Sequence, residues 1–444
     1  MPEMNRVAFY TLGCKVNYYE TEALKSLFEK RGYQVVNFTE EADVYVINTC
    51  TVTHESNRKS RRVIRRARRF SSAAIVVVTG CYPQVYPQEL QKMPESDLVV
   101  GTHRRHNLPE MVEKFHRKEI DPMAVEPFDN TSAFEKLPFR EAQGRTRAFL
   151  KIQEGCHQGC SYCVVPLARG PVRSKPAEEI LNEVYQIASL GYREIVFTGI
   201  HLGWYGKDLW DISLAALMEK VEAVTGIERV RLSSLEPLDL TEELIEYMVY
   251  SSKFCRHLHI PIQSGDDEIL RKMYRPYNTY EYRLLLDRLR NAMPDLAVST
   301  DLMVGFPGET EEHHIRSKKL VKKIKFSRMH VFKFSPRPGT DAYHFSHKVS
   351  PSEKSRRSKE MREVGRILAA EYGKSFLGTR QEVLVEKVNK AGEIEGFTQH
   401  YLRIRAGGTE MLDLQKIQGA RVFVDLMAES TEGEGLIGQV YSKA

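Results

Sequence analysis

At 444 residues with 42% apolar content, the chain has material for two or three packed domains, and it holds no apolar run long enough to cross a bilayer as a helix. Met1 to Val7 lack the charged and apolar regions of a secretory signal, which points to a cytoplasmic protein. Seven cysteines scattered over a large chain argue against a disulfide framework and for reduced thiols with chemical work, while a net charge of +6 leaves the question of a polyanionic partner to local patches.

In chain order, residues 5–117 alternate short β-branched runs (7–10, 44–47, 75–78 and 98–100) with helical periodicity near 20–30, 57–69, 87–92 and 108–115. This pattern predicts an α/β domain built on a buried parallel sheet. Cys14, Cys50 and Cys81 each fall just past the carboxyl end of a strand, the edge at which open α/β sheets carry their ligand crevice. Three thiols distant in sequence then converge in space, and a cluster held by three cysteines is favoured over three unrelated core residues. Arg58 to Arg69 packs eight basic residues into twelve positions. A polyanion would relieve that repulsion, so this helix is a candidate RNA contact. Residues 118–145, with Pro122, Pro127 and Pro138 and few apolar positions, read as a linker.

From Thr146 a second α/β array begins, with strands expected at 148–152, 194–198, 230–233, 257–262, 296–304 and 329–334. Six units are too few for a closed barrel and fit a (β/α)6 partial TIM barrel whose ligand loops follow the strands. The loop after its first strand carries Cys156, Cys160 and Cys163 at the spacing C-x3-C-x2-C. Three thiolates hold three corners of a [4Fe–4S] cubane and leave one iron open to a substrate or cofactor, whereas a structural zinc site closes with four ligands at paired spacings. Later loops bring Thr198-Gly199-Ile200-His201, Ser233-Ser234-Leu235-Glu236, Gln263-Ser264-Gly265 and Gly305-Phe306-Pro307-Gly308-Glu309 to the same end. Arg169 and Arg173 follow the cysteine loop closely enough to pair with a carboxylate or phosphate there. His257 and His259 read as core or lumen histidines rather than metal ligands, and Cys255 as structural. A charged helix over 350–372 closes this domain. Short strands at 381–388, 396–405, 420–427 and 435–441 then predict a small β-barrel, whose aromatic and basic run from Phe397 to Arg405 suits an RNA surface.

Cys156, Cys160 and Cys163, with Tyr162 in the aromatic slot, resemble the C-x3-C-x-aromatic-C motif of the radical S-adenosylmethionine (SAM) enzymes. That resemblance implies that SAM chelates the open iron, cradled by Tyr162, Arg169, Gly199, His201, Ser233, Glu236 and Gln263. Many radical SAM enzymes read Gly-Gly-Glu where this chain has Gly199-Ile200-His201. Ahead of it, Gly13-Cys14-Lys15-Val16-Asn17, Asn48-Thr49-Cys50 and Thr79-Gly80-Cys81-Tyr82-Pro83-Gln84 resemble the amino-terminal domain of the methylthiotransferases. The ending Gly435-Leu436-Ile437-Gly438-Gln439-Val440 resembles a TRAM domain, an OB-like RNA-binding module. The family order implies a methylthiotransferase domain over 1–117, the linker over 118–145, a radical SAM domain over 146–373 and a TRAM domain over 374–444.

Lys15 and Val16 resemble the subgroup acting on N6-threonylcarbamoyladenosine in tRNA more than those acting on isopentenyladenosine or on a ribosomal protein. The implied function is methylthiolation of C2 of that nucleoside at position 37, in the anticodon loop. An aromatic C–H bond has no acidic proton and no leaving group, so the hard chemistry falls to cofactors. Two [4Fe–4S] clusters are implied, one on Cys156, Cys160 and Cys163 that cleaves SAM to a radical, the other on Cys14, Cys50 and Cys81 that presents the sulfur. SAM is then both radical source and methyl donor. A flavodoxin- or ferredoxin-like electron donor, a sulfur source and no membrane complete the expected partners. The rival readings are a non-catalytic iron–sulfur RNA-binding protein and an electron carrier, which needs neither a basic helix nor a terminal barrel.

Overall fold

The computed structural model describes residues 4–443 except 130–131, 142–144, 210–211, 410–412, 415–416 and 430–434. Its first sheet has six parallel strands: β1 (Arg6–Thr11), β2 (Gln34–Val36), β3 (Val44–Thr49), β4 (Ile75–Gly80), β5 (Leu98–Val100) and β6 (Met123–Ala124). They lie in the order β2-β1-β3-β4-β5-β6. Helices α1 (Lys15–Lys30), α2 (His54–Phe70), α3 (Cys81–Val85), α4 (Pro87–Gln91) and α5 (Leu108–His116) cover it. Every residue of β3 and β4 is buried, which is why these strands read as unbroken apolar runs rather than as alternation. The order reverses between β1 and β3, and Cys14 and Cys50 follow those two strands, so they flank the topological switch point where such sheets bind ligands.

Helix α2 is amphipathic in the plainest way: Val63, Ile64 and Ala67 are buried, while Arg58, Lys59, Arg62, Arg65, Arg66 and Arg69 are exposed. Thr53 caps it by accepting the Ser56 N–H at 3.1 Å. Strands β2 and β6 were not expected; at three and two residues they are too short to show a period in sequence. Helix α1 starts at Lys15, five residues earlier than the periodicity near residue 20 suggests, and α3, opening with Cys81, was also unforeseen. The stretch 118–145 is more than a linker. It supplies β6 and the buried carboxylate of Glu135, which accepts from Arg105 Nε at 3.1 Å; its residues 130–131 and 142–144 lie outside the described set.

The second array forms β7 (Arg147–Lys151), β8 (Glu194–Thr198), β9 (Arg229–Leu232), β10 (His257–His259), β11 (Ala297–Val304) and β12 (Arg328–Lys333). Two parallel ladders, β9-β8-β7 and β10-β11-β12, are joined by the isolated bridges Val230–Phe254 and Ser234–His259, completing a six-stranded partial barrel. Strand β10 stops before the expected residue 262 because Pro261 has no N–H to give and the Ile262 N–H turns to Thr300 Oγ1 at 2.9 Å. Helix Pro351–Lys374 closes the array, and Cys255 is buried beside β9.

The carboxyl-terminal strands β13 (Arg380–Val388), β14 (Ile394–Thr398), β15 (Arg403–Gly407), β16 (Arg421–Glu429) and β17 (Leu436–Lys443) close a barrel in the order β13-β14-β15-β17-β16. Residues 396–405, expected as one strand, are two: the chain turns between β14 and β15, with Tyr401 at φ +64°. Part of the aromatic run expected to face RNA instead docks this barrel onto the larger one. Arg147 donates to the Tyr401 hydroxyl at 3.0 Å, Arg229 to the Phe397 carbonyl at 3.1 Å and Arg231 to the Gln399 carbonyl at 3.1 Å, while His400 meets Asp295 at 3.0 Å. Among the described residues no helix is long and apolar enough to cross a membrane.

Candidate functional site

The two cysteine triplets occupy loops at the carboxyl ends of their respective sheets. In the first, Cys14 precedes α1, Cys50 follows β3 and Cys81 opens α3. Asn17 ties two of these loops together, donating through Nδ2 to the Leu12 carbonyl at 2.7 Å and the Thr49 carbonyl at 3.0 Å. The three thiols sit within electrostatic reach of one another. Burial pushes the Cys81 thiol up to about 12; the Arg169 guanidinium opposes that, and Cys50 and Cys14 add to it. Burial raises Cys50 as well. Thiols held this high are protonated near neutrality, and coordination to a metal is what converts such a group to the thiolate.

In the second triplet, burial pushes Cys156 up to about 11 and Cys163 up to about 12. Hydrogen-bond donors already face its sulfurs. The Gln158 N–H donates to Cys156 Sγ at 3.4 Å, Arg275 Nη1 donates to Cys160 Sγ at 3.1 Å, and His201 Nδ1 lies 3.5 Å from Cys156 Sγ. Such contacts favour the anionic form of sulfur and tune whatever it ligates. Among the described residues the group of three Cys, His, Asp or Glu ligand atoms lying within 4.8 Å of one another is Glu20, Glu135 and Glu154, not either cysteine triplet. Three thiolates on a single zinc, at about 2.3 Å each, would be closer together than that. A polynuclear core suits the wider spacing.

The loop geometry of the second triplet depends on Gly155, at φ +75°, where a Cβ would stand 1.7 Å from the Pro171 carbonyl oxygen. Gly159 has a similar φ of +72° but nothing within 4 Å. Gly155→Ala is therefore expected to cost at least about 3 kcal/mol, and Gly159→Ala about 1 kcal/mol of backbone strain alone. Thermal unfolding of the two variants side by side checks this; equal losses would show that the loop yields at Pro171.

Of the expected contact residues, His201 abuts Cys156 Sγ and Glu236 is tied to Cys160 through Arg275. His201 stacks on Trp204 with ring centroids 3.9 Å apart, and its Nε2 meets Asp239 Oδ2 at 2.9 Å. Its backbone N–H donates to Gln153 Oε1 at 2.7 Å, and the same Gln153 side chain packs against Gly199. Glu236 accepts from Arg275, whose Nε donates to the Tyr277 hydroxyl at 3.1 Å. Ser233 is buried with its hydroxyl unpartnered among the described residues. Gln263 adopts φ +63° and pairs through its backbone with Asp301 and Met303. Tyr162 packs edge-on to Phe306, next to Phe334 and Ala342.

Arg169 joins the two halves. It ends α6 (Val165–Arg169), six residues past Cys163, and is fully buried. Its Nε donates to Cys81 Sγ at 3.3 Å, Nη2 to Asn17 Oδ1 at 2.6 Å and Nη1 to Glu154 Oε1 at 3.0 Å and to Glu20. One side chain from the second triplet's segment thus touches a sulfur of the first. Burial pushes the Glu20 carboxyl up, but Arg105, Arg169 and Lys151 outweigh it and hold the group well below the usual carboxylate range. Arg173 backs the arrangement by donating to the Arg169 carbonyl at 2.6 Å. Sequence reasoning missed Arg275, Asp239, Trp204 and Glu20. A glutamate on the apolar face of α1, three residues after Asn17, was the one visible signal.

Residues 6–101 match a family described only as uncharacterized protein family UPF0004, and residues 150–321 match the radical SAM superfamily. The threonylcarbamoyladenosine tRNA methylthiotransferase MtaB of Bacillus subtilis is 42% identical over 413 residues, spanning 92% of this chain and 91% of the relative. The Thermotoga maritima protein of the same name is 36% identical, spanning 94% of each chain. A tRNA-2-methylthio-N(6)-dimethylallyladenosine synthase of Clostridium botulinum (strain Okra) is 34% identical, spanning 86% of each. In fold, the chain is similar to the radical SAM methyltransferase TsrM from Kitasatospora setae, with TM-score 0.56 at 16% identity over 76% of this chain and 77% of that one.

Proposed function

We propose, from the premise that this chain belongs to the radical SAM tRNA methylthiotransferases, that it installs a methylthio group at C2 of N6-threonylcarbamoyladenosine at position 37 of tRNA. Identity to relatives named for that nucleoside, at 42% and 36%, exceeds the 34% to a relative named for the dimethylallyl nucleoside, and this favours the threonylcarbamoyl substrate. The observation that carries the reading is the junction at Arg169: a chemistry that combines a radical source with a sulfur carrier needs both at one crevice, and Arg169 donates to Cys81 Sγ while the carbonyl of the next residue, Gly170, accepts the Cys156 N–H at 3.1 Å.

Cys156, Cys160 and Cys163 would hold one [4Fe–4S] cluster and Cys14, Cys50 and Cys81 a second. When bound, these clusters and SAM supply the electron, radical, sulfur and methyl chemistry. The chain's own residues orient and insulate. Gln158, Arg275 and His201 donate toward or abut the sulfurs, Asp239 fixes the His201 ring by meeting Nε2, and the aromatic wall of Tyr162, Phe306 and Phe334 keeps water from the loop. A loop nucleotide can be splayed into such a crevice at lower cost than a base in a duplex. The reading places the protein in the cytoplasm with a small redox protein as electron donor and a separate sulfur source. Mass spectrometry of tRNA nucleosides from a strain lacking the gene tests it. Loss of the 2-methylthio derivative of threonylcarbamoyladenosine is expected; an unchanged level contradicts the assignment.

RNA would approach across α2. Lys59, Arg62 and Arg69 are exposed there and have no ion-pair partner among the described residues, unlike Arg58 with Glu55 or Arg68 with Asp97. Replacing the three by alanine is expected to weaken tRNA binding and to flatten the slope of log affinity against log salt by about 2 to 3. Binding titrations at several salt concentrations check this, and an unaltered slope removes α2 from the interface.

A further inference from the structure

The inner face of the last three barrel strands is polar where a filled barrel would be apolar. On β11 the side chains of Val298, Leu302 and Val304 point to the helices and join the main core, as do Met329 and Val331 on β12. The alternate positions therefore face the lumen, which brings Ser299 and Asp301 of β11 beside His257 and His259 of β10. Ser299 Oγ lies 2.9 Å from both His257 Nε2 and His259 Nδ1, and His259 Nε2 lies 3.3 Å from Asp301 Oδ1. This row holds the Asp301 carboxylate by one oxygen. The other oxygen has no partner among the described residues, and the side chain keeps 30% of its surface open.

Asp301 lies at the end of the barrel that carries the cysteine loops. His259 is the last residue of β10 and bridges Ser234, which follows the end of β9, and Asp301 stands further along β11 than Ser299, the partner of His259. Met303, the next inward residue of β11, packs with Phe306, Phe334 and Tyr162 of the second cysteine loop. Phe332 of β12 pairs with Met303, shares its face and is 45% exposed. Phe334, the next inward position, meets the Phe306 ring at 5.2 Å, and Phe306 meets Tyr162 at 6.4 Å. Asp301 and Phe332 are thus one pleat below the apolar wall of the cysteine loop. An open aromatic ring stands there beside a carboxylate oxygen that has no donor.

A flat ring with an N–H on its edge satisfies both groups, since aromatic faces take nucleobases by stacking and a carboxylate accepts from an exocyclic amine. We infer that the target adenine enters the lumen, stacks on Phe332 and donates its N6–H to Asp301. This rests on the reading under Proposed function, which supplies an adenine nucleoside; a singly substituted N6 keeps one N–H to give. The contact also selects the base. Guanine and hypoxanthine carry a carbonyl oxygen where adenine has its amine, so either sets two acceptors against each other and leaves the carboxylate without its donor. Ser299 and His259 are then positioning residues, which fix the carboxylate through its first oxygen.

The test measures binding of the reconstituted full chain to three anticodon stem-loop RNAs that differ only at the target position, which carries adenosine, inosine or an abasic site. Wild type is expected to bind the adenosine RNA about tenfold or more tighter than the inosine RNA. D301N, which exchanges the carboxylate for an amide of the same shape, should erase that preference. F332L should weaken the adenosine and inosine RNAs alike by about fivefold or more, whereas F332W, which keeps a ring, should not. The abasic RNA, held by its backbone alone, should be bound equally by all four proteins. A D301N protein that keeps the wild-type preference overturns the assignment to Asp301, as does a wild type without one, and an F332L protein with wild-type affinity for both bases overturns the stacking. A loss that extends equally to the abasic RNA overturns both contacts. The methylthiolation reading is judged separately by the nucleoside analysis.

Discussion

Alanine at Cys14, Cys50 and Cys81 together is expected to lower bound iron from about eight to about four atoms per chain while SAM cleavage under strong reductant survives. The reverse triple, at Cys156, Cys160 and Cys163, should abolish cleavage. The asymmetry follows from where the loops sit. The first triplet hangs from β1, β3 and β4, whose apolar faces pack with α2 through Tyr45, Ile47, Val63, Ile64, Val76 and Val78, and the second from β7 of the partial barrel. Removing three thiols from one loop set leaves the other loop, with its Arg275 and Gln158 donors, intact. Iron analysis and release of 5′-deoxyadenosine measure the two effects separately. Cleavage lost in the first triple as fully as in the second would mean that the two sites do not divide the chemistry.

The second large effect is expected at Arg169. Its guanidinium shares the buried carboxylates of Glu20 and Glu154 with Arg105, Lys151 and Arg173, so Arg169→Ala removes part of their compensation and strands buried hydrogen-bond acceptors, which should cost about 3 kcal/mol in chemical denaturation. Arg169→Lys keeps the charge but replaces a planar fork by a point donor, which cannot reach Cys81, Asn17 and Glu154 at once. It should recover much of the stability and still shift the reduction potential of whatever Cys81 ligates, because the donor to that sulfur is gone. A lysine variant with wild-type potential would reduce Arg169 to a structural ion pair.

Much of the architecture was legible because its signals are local. Buried parallel strands such as β3 and β4 are continuous apolar runs, and the cysteines follow strands directly, so the two triplets could be placed at the correct edges from sequence. Relations between distant segments were not legible. Arg275 reaches Cys160 across 115 positions and Arg169 reaches Cys81 across 88, and nothing in either segment's periodicity announces the partner. Arg169 could be singled out near the cysteine loop, but not its position between the triplets. The run from Phe397 to Arg405 misled in part for the same reason: aromatics beside cations suit RNA, yet Tyr401 spends its ring and hydroxyl on Arg147, Arg231 and His257 of the larger barrel. Strand β6 escaped notice because two residues at a sheet edge carry no period.

The account depends on two thiol-anchored metal centres facing one crevice, and pulsed electron paramagnetic resonance on the anaerobically reconstituted, reduced full chain tests that most directly. It predicts two paramagnetic clusters coupled by a short-range magnetic interaction that disappears when either cysteine triplet is replaced by alanine. Two signals that behave as isolated spins, or a single cluster whose signal is untouched by loss of Cys14, Cys50 and Cys81, would contradict it.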